Sequence, residues 1–391
     1  MNNISAISNC TACFACVDSC PKHCISVGNN AFLEETLQVE ERACIHCGQC
    51  LNVCQAHTQS ETLLNKPTKC YAVQSKEPAS VRIRHSSGGL VSELGRYILS
   101  CGGLVAATVW GQNHKAKFVL VGSEAELRQT AGSKYVHSDA SGIYAQIATK
   151  LKSNIPILFV GLPCQVAGIR RYMSCFVHEE KRALLYTVDL VCHGTPPAAY
   201  LQAYLAEYIG LEQMDDIQFR GERDFFLSLL EKGKYIYSVP ADRDVYFRAF
   251  LDGTIYRKNC YQCRYARPER VGDLTAGDFW GLDCGETMND FQGRVSLCLV
   301  NTTQGRELFE HIKNGVHFEE RPYKEALSEN KQLTAPMPKR PETNVFQNNC
   351  KELGFVKAIK KTGSYALVKK NIRLQKHRNA IIFLKKKLRM E

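Results

Sequence analysis

CTACFACVDSCP (residues 10–21) carries cysteines at Cys10, Cys13, Cys16 and Cys20 and closes on Pro21. CIHCGQCLNVCQ (residues 44–55) repeats that spacing at Cys44, Cys47, Cys50 and Cys54. In each run the first three thiols share one tight loop and the fourth points away, toward the other run. The pair predicts two crossed four-sulfur sites. One takes Cys10, Cys13, Cys16 and Cys54; the other takes Cys44, Cys47, Cys50 and Cys20. Zinc also accepts four sulfurs, but it needs no crossed repeat. Two 4Fe-4S clusters are the better expectation.

The run Cys-x2-Cys-x2-Cys-x3-Cys-Pro resembles that of two-cluster bacterial ferredoxins. One departure stands out: the second run ends Cys54-Gln55, where the first ends Cys20-Pro21. Cys24, in PKHCIS, is read as a small buried hydrophobe. A bare ferredoxin would only carry electrons, and over three hundred residues follow here. The electrons are therefore expected to have a destination on the same chain.

Composition sets the class. With 391 residues, the chain is long enough for two or three domains, and 45% hydrophobic with 23% charged residues is ordinary for a globular protein. The stretch MNNISAISNCTAC lacks the apolar core of a secretory signal. Nineteen cysteines are then expected to stay reduced in the cytoplasm and to bind metal rather than pair as disulfides. No apolar run reaches the ~18 residues of a membrane span. The net charge of +11 sits at one end: residues 351–391 hold thirteen Lys and Arg against Glu352 and Glu391, and the rest of the chain balances. That basic tail is a candidate for peripheral contact with the inner membrane face or with an acidic partner; a solvated helix is the plain alternative. No pattern of aromatic–basic interleaving accompanies the charges, so nucleic acid is not an expected partner.

After Lys66–Pro67 the pattern alternates. GLVSELGRYILS (89–100) reads as a helix, LVAATVW (104–110) and KFVLV (117–121) as strands, and residues 140–152 as a helix leading to the strand IPILFVG. ALLYTVDLVC is a further strand and PAAYLQAYLAEYI a further helix. A hairpin at LLEKGKYIYS and a strand VSLCLV are expected to complete one mixed sheet, and TAPMPKRPET to be a linker. The predicted fold class is an α+β ferredoxin-like two-cluster domain (1–64), then an α/β mixed-sheet flavin and iron–sulfur domain (68–320), then a linker and basic helical tail (321–391).

Cys164 in FVGLPCQVAG and Cys192 in VDLVCHGTPP each follow a predicted strand. If those strands are parallel neighbours, both thiols emerge at the carboxyl edge, where open α/β sheets bind ligands. Cys260 and Cys263 of RKNCYQCRYA (257–266) would complete four ligands. Spacing alone leaves open whether they do so, or bind zinc with another pair.

GLPCQVAGIRRY, VDLVCHGTPP and CYQCRYARPERVGDLTAGDFWG, with SSGGLVSEL and GSKYVHS before them, resemble the signature blocks of the coenzyme F420 hydrogenase/dehydrogenase beta subunit family. The likeness runs from about Ser86 to Gly281. It implies a third 4Fe-4S cluster on Cys164, Cys192, Cys260 and Cys263, and a flavin, usually FAD. By the same likeness Ser86, Ser87, Gly88 and Gly89 would receive a flavin phosphate at a helix start, where a plain serine cap is the alternative. Lys134 would supply charge and Tyr135 stacking, although surface lysine and core tyrosine are the ordinary explanations. Asp273 and Asp278 are read as loop-orienting or turn-capping residues, Trp280 as packing, and His193 as a solvated loop histidine able to donate a proton.

The expected chemistry passes single electrons from a ferredoxin or other low-potential donor through clusters to a flavin, which gathers pairs for a small-molecule acceptor. F420 and a surface-polysaccharide precursor are candidate acceptors. A non-catalytic electron-transfer subunit and a zinc-stabilised interaction protein are the competing readings.

Overall fold

A computed structural model describes residues 3–58, 60–82, 84–210, 214–221, 225–282, 291 and 293–387; residues 6, 60, 61 and 380–387 are described in backbone only. The tail sequence after Lys387, part of the expected basic segment, lies outside the described residues.

Strands β1 (Ile25–Asn29) and β2 (Glu35–Val39) form an antiparallel pair beside the amino-terminal cysteines. The principal sheet is built from β3 (Lys69–Ser75), β4 (Leu104–Trp110), β5 (Ala116–Val121), β6 (Ile157–Gly161) and β7 (Leu185–Leu190), joined later by three further strands. The hairpin read as part of this sheet instead forms a second one, from β8 (Asp216–Arg220), β9 (Phe225–Glu231) and β10 (Lys234–Pro240). Its buried Leu227 and Leu229 pack on Tyr246 and Phe247, an aromatic core separate from the main sheet, and this draws the hairpin away. The last three strands are β11 (Leu274–Asp278), β12 (Ser296–Val300) and β13 (Val316–Glu320). Among the described residues the main sheet runs β13-β3-β12-β11-β7-β6-β4-β5. Strands β4, β6, β7 and β11 are parallel, and antiparallel strands flank them on both sides.

Both faces of the parallel strands are covered, as continuous apolar strands require. Alternation along β6 shows how: Ile157 and Phe159 face the helices Ile143–Lys152 and Pro163–Phe176, while Leu158 and Val160 face Leu90–Ser100 and Thr303–Ile312. Each such fully buried side chain stabilises the fold by ~1.5–3 kcal/mol. The first of these cores also contains Cys13, Cys16, Cys20 and Cys50, so the ferredoxin-type segment packs directly on the α/β layer.

The segment from 321 is not a bare linker and tail. A helix starts inside TAPMPKRPET, at Pro341, because proline fits the first helical turn. From the helices Pro341–Leu353, Phe355–Ile359 and Gly363–Lys387, the side chains of Phe346, Cys350, Phe355, Ile359 and Val368 are buried in the aromatic core.

Candidate functional site: three cysteine clusters and a cleft

The parallel pairing of β6 with β7 brings Cys164 and Cys192 to one edge of the sheet. Cys164 lies in the first turn of the helix Pro163–Phe176, and Cys192 two residues past β7. The loop Lys258–Gln262 brings Cys260 and Cys263 across. All four are half-buried. Burial pushes the Cys164 thiol well above its ordinary range, and Cys263, Cys192, Cys13 and Cys260 push it further. Burial likewise raises Cys260, to about 11, with Cys263 adding to the effect. Thiols held this way resist ionisation on their own, and a cationic iron–sulfur core that takes thiolates matches the donor set.

At the amino terminus the crossed pattern appears in space. Burial raises Cys13 to about 12, with contributions from Cys10 and Cys54. Cys16 is raised by burial and then by Cys13, Cys10, Cys54 and Cys50. Cys20, Cys44, Cys47 and Cys50 line a separate hollow. Cys24 lines it too, with its Sγ 3.3 Å from that of Cys20, so it is a neighbour of that site rather than plain packing. In the sequence only its distance of four from Cys20 hinted at this.

Gln55, where the second run lacks proline, is buried. Its Nε2 donates to Thr11 Oγ1 at 2.7 Å and its side-chain carbonyl accepts from the Tyr265 hydroxyl. Arg264 donates to its backbone carbonyl at 3.1 Å. Arg257 pairs with Glu35, and the Lys258 amide donates to Glu34 at 2.7 Å. Asp189, in β7, accepts from the Val271 and Gly272 amides at 3.0 and 3.1 Å and pairs with buried Arg270 at 3.3 Å. The loop that carries Cys260 and Cys263 is thus tied to both the sheet and the amino-terminal segment. Asp273 belongs to the same framework, accepting from the Thr187 amide at 2.8 Å and from Arg170 at 3.0 Å.

Beside the core cysteines a cleft of about 270 Å³ opens, lined among others by His85, Ser86, Gly89, Tyr135, Cys192 and Trp280. Ser87 and Lys134 also line it. Gly89 has φ +94° and precedes the helix Leu90–Ser100, and a Cβ there would meet His85 Nδ1 at 2.6 Å. Gly88 sits behind, where a Cβ would meet the Val73 carbonyl at 2.4 Å. Ser87 donates to the Val295 carbonyl at 3.0 Å. The Lys134 ammonium bonds the carbonyls of Thr130, Gly132 and Ala131 at 3.1, 3.1 and 3.4 Å, and burial lowers its pKa to about 8. Tyr135 stacks on Phe250 at 4.5 Å, and its hydroxyl accepts from Arg220 Nε at 3.2 Å. Arg220 also pairs with Asp278. Trp280 stacks on Phe225, and His193 Nδ1 lies 2.8 Å from Gln332 Nε2.

His85 was absent from the sequence expectations, although it immediately precedes SSGG. Its Nε2 stands 3.4 Å from the Glu77 carboxylate, while Nδ1 is buried with no hydrogen-bond partner. An orphaned polar atom costs about 1–3 kcal/mol, and a polar ligand in the cleft would relieve that cost. This fits a nucleotide-type cofactor, with Ser86, Gly89 and His85 as the residues nearest to hold it.

Residues 70–144 match the N-terminal region, and residues 156–326 the C-terminal region, of the coenzyme F420 hydrogenase/dehydrogenase beta subunit. Residues 9–58 match the 4Fe-4S dicluster domain. No curated protein matches the chain. A solved structure, the xenon-derivatised F420-reducing [NiFe] hydrogenase complex from Methanosarcina barkeri, aligns at TM-score 0.48 and 17% identity, over 76% of this chain and 92% of that one.

Proposed function

The chain belongs to the coenzyme F420 hydrogenase/dehydrogenase beta subunit family, and from that premise we propose that it is an iron–sulfur flavoprotein oxidoreductase. Single electrons from a ferredoxin-like donor would be gathered in pairs for a small-molecule acceptor, with F420 and a surface-polysaccharide precursor the candidate classes. The observation that carries this reading is that Cys164 and Cys192 emerge at one sheet edge, with Cys260 and Cys263 brought across to them, beside a cleft that Cys192 itself lines. A flavin bound there would supply the exchange between one- and two-electron chemistry. The chain's own part is to hold it: His85, Ser86 and Gly89 line the cleft, and the Tyr135–Arg220–Asp278 chain gives it a fixed polar wall. The domain limits 1–64 and 68–320 and a cytoplasmic setting belong to the same proposal. Among the described residues no helix is long and apolar enough to cross a membrane.

The commitments of Lys134 to three carbonyls and of Tyr135 to an aromatic cluster favour a second reading, a non-catalytic electron-transfer subunit. Anaerobic purification separates the two. About twelve irons with stoichiometric flavin, and loss of about four irons in Cys260→Ala, support the oxidoreductase. Full iron without flavin, before and after incubation with FAD or FMN, leaves the carrier.

A further inference from the structure

The two amino-terminal sites are not equivalent neighbours of the core. Cys13 lies against Gly168, where a Cβ would stand 3.1 Å from its Sγ and 3.4 Å from the Tyr144 hydroxyl. Gly168 sits one helical turn beyond Cys164 on the same helix. The absence of a side chain at 168 therefore sets how closely the Cys10/Cys13/Cys16/Cys54 site approaches the core cysteines. A second bridge runs alongside. His137 Nε2 lies 3.0 Å from the Ala12 carbonyl, and Nδ1 lies 3.3 Å from Thr195 Oγ1, which is 4.0 Å from Cys260 Sγ. The Ala12 carbonyl can only accept, so the neutral ring carries its proton on Nε2 and accepts the Thr195 hydroxyl at Nδ1. Tyr144 donates to the Cys13 carbonyl at 2.7 Å, closing the same joint.

The other site faces outward. Cys47 and His46 are exposed, and Ile45 is 57% exposed. Cys50, on the short helix Gln49–Asn52, is buried in the same core as Cys13 and Cys16 of the inner site, whereas Cys47 is exposed.

We propose a fixed order: a low-potential one-electron reductant docks on loop 44–50, the Cys20/Cys44/Cys47/Cys50 site receives the electron, and the Cys10/Cys13/Cys16/Cys54 site relays it past Gly168 to the core cysteines. This order rests on the oxidoreductase reading above. Each hop moves one electron, the donor site being oxidised as the acceptor site is reduced, and no bond is made or broken. Gly168, His137 and Thr195 are positioning residues in the relay.

The full-length protein, reconstituted anaerobically and reduced with dithionite, tests it by electron paramagnetic resonance and iron content. Two adjacent reduced clusters broaden each other's signals. Cys47→Ala should lose about four irons yet leave the core-site signal as broad as in wild type. Gly168→Val, whether it shifts Cys13 or only widens the gap, should narrow that signal while the outer site stays reducible. Narrowing in Cys47→Ala, or an unchanged core signal in Gly168→Val, overturns the order alone. A wild-type protein with no core-site signal overturns the oxidoreductase reading and the relay with it.

Discussion

Gln55 and His137 show what single side chains contribute where the two cysteine-bearing regions meet. Pro21 ends the first run, whereas Gln55, at the matching position of the second, bonds Thr11 and Tyr265 at once. Gln55→Pro, which would restore the repeat, removes the bonds to Thr11 and to Tyr265 together. It should destabilise the protein by about 1–3 kcal/mol in denaturant titration. A loss of only a few tenths would show that the joint does not depend on it. His137 adds a pH dependence: burial, and then Arg257, lower its pKa to about 4. The unfolded imidazole protonates near 6.5. As pH falls from about 6.5 toward 4 the unfolded state therefore binds the proton first, and stability present above that window is lost. Between pH 7 and pH 5 wild type should lose about 2 kcal/mol more than His137→Gln, read as the difference between their unfolding curves. Equal losses would place the imidazole outside the joint. Neither role was legible in the sequence. Gln55 was visible only as a missing proline, and His137 lies in a block whose neighbours, Lys134 and Tyr135, drew the cofactor assignment.

At the scale of elements, the strands with strong apolar runs were legible, and with them the carboxyl edge that gathers Cys164 and Cys192. Three partners were not. KCYAVQS in β3 mixes Lys69, Gln74 and Ser75 into a buried strand, LTAGD in β11 is interrupted by Gly277, and VHFEE in β13 is a half-polar edge. Their burial comes from pairing across the sheet, which a period-two pattern in one strand does not encode. The helix Ile143–Lys152 shows the same dependence on distant sequence. No side chain of its own N-cap, Gly142, can serve it; instead Asp18, from the helix Ala15–Ser19, accepts from the amides of Gly142, Tyr144 and Ala145 at 2.6, 2.9 and 3.2 Å. Asp18→Ala removes that cap from outside the helix and should cost about 1–2 kcal/mol. Amide hydrogen exchange should quicken at residues 142–145 and at the Cys13 loop together. Faster exchange at the helix start alone would mean that the cap is local and does not hold the ferredoxin-type segment down.

At the scale of the whole molecule, charge is divided from chemistry. The cysteines lie in a body whose acidic and basic residues balance, while residues 351–391 carry the excess. The final helix is anchored early, by Ser364 donating to Asp252 at 2.9 Å and Asn371 donating to the Asp242 carbonyl at 2.8 Å. From Lys376 to Asn379 its side chains are exposed. A truncation after Gln375 keeps both anchors and removes Lys376, Arg378, Lys385, Lys386, Lys387 and Arg389 against Glu391 alone. Near an anionic surface each basic residue is worth about 1 kcal/mol at low salt and falls off within a Debye length. The full chain should therefore pellet with phosphatidylserine-containing vesicles and release as salt rises, and the truncated chain should stay in the supernatant at every salt concentration. Because the anchors lie before the cut, iron content and unfolding midpoint should match wild type and so separate lost binding from lost folding. Equal pelleting of the two chains would assign the basic helix to solvent.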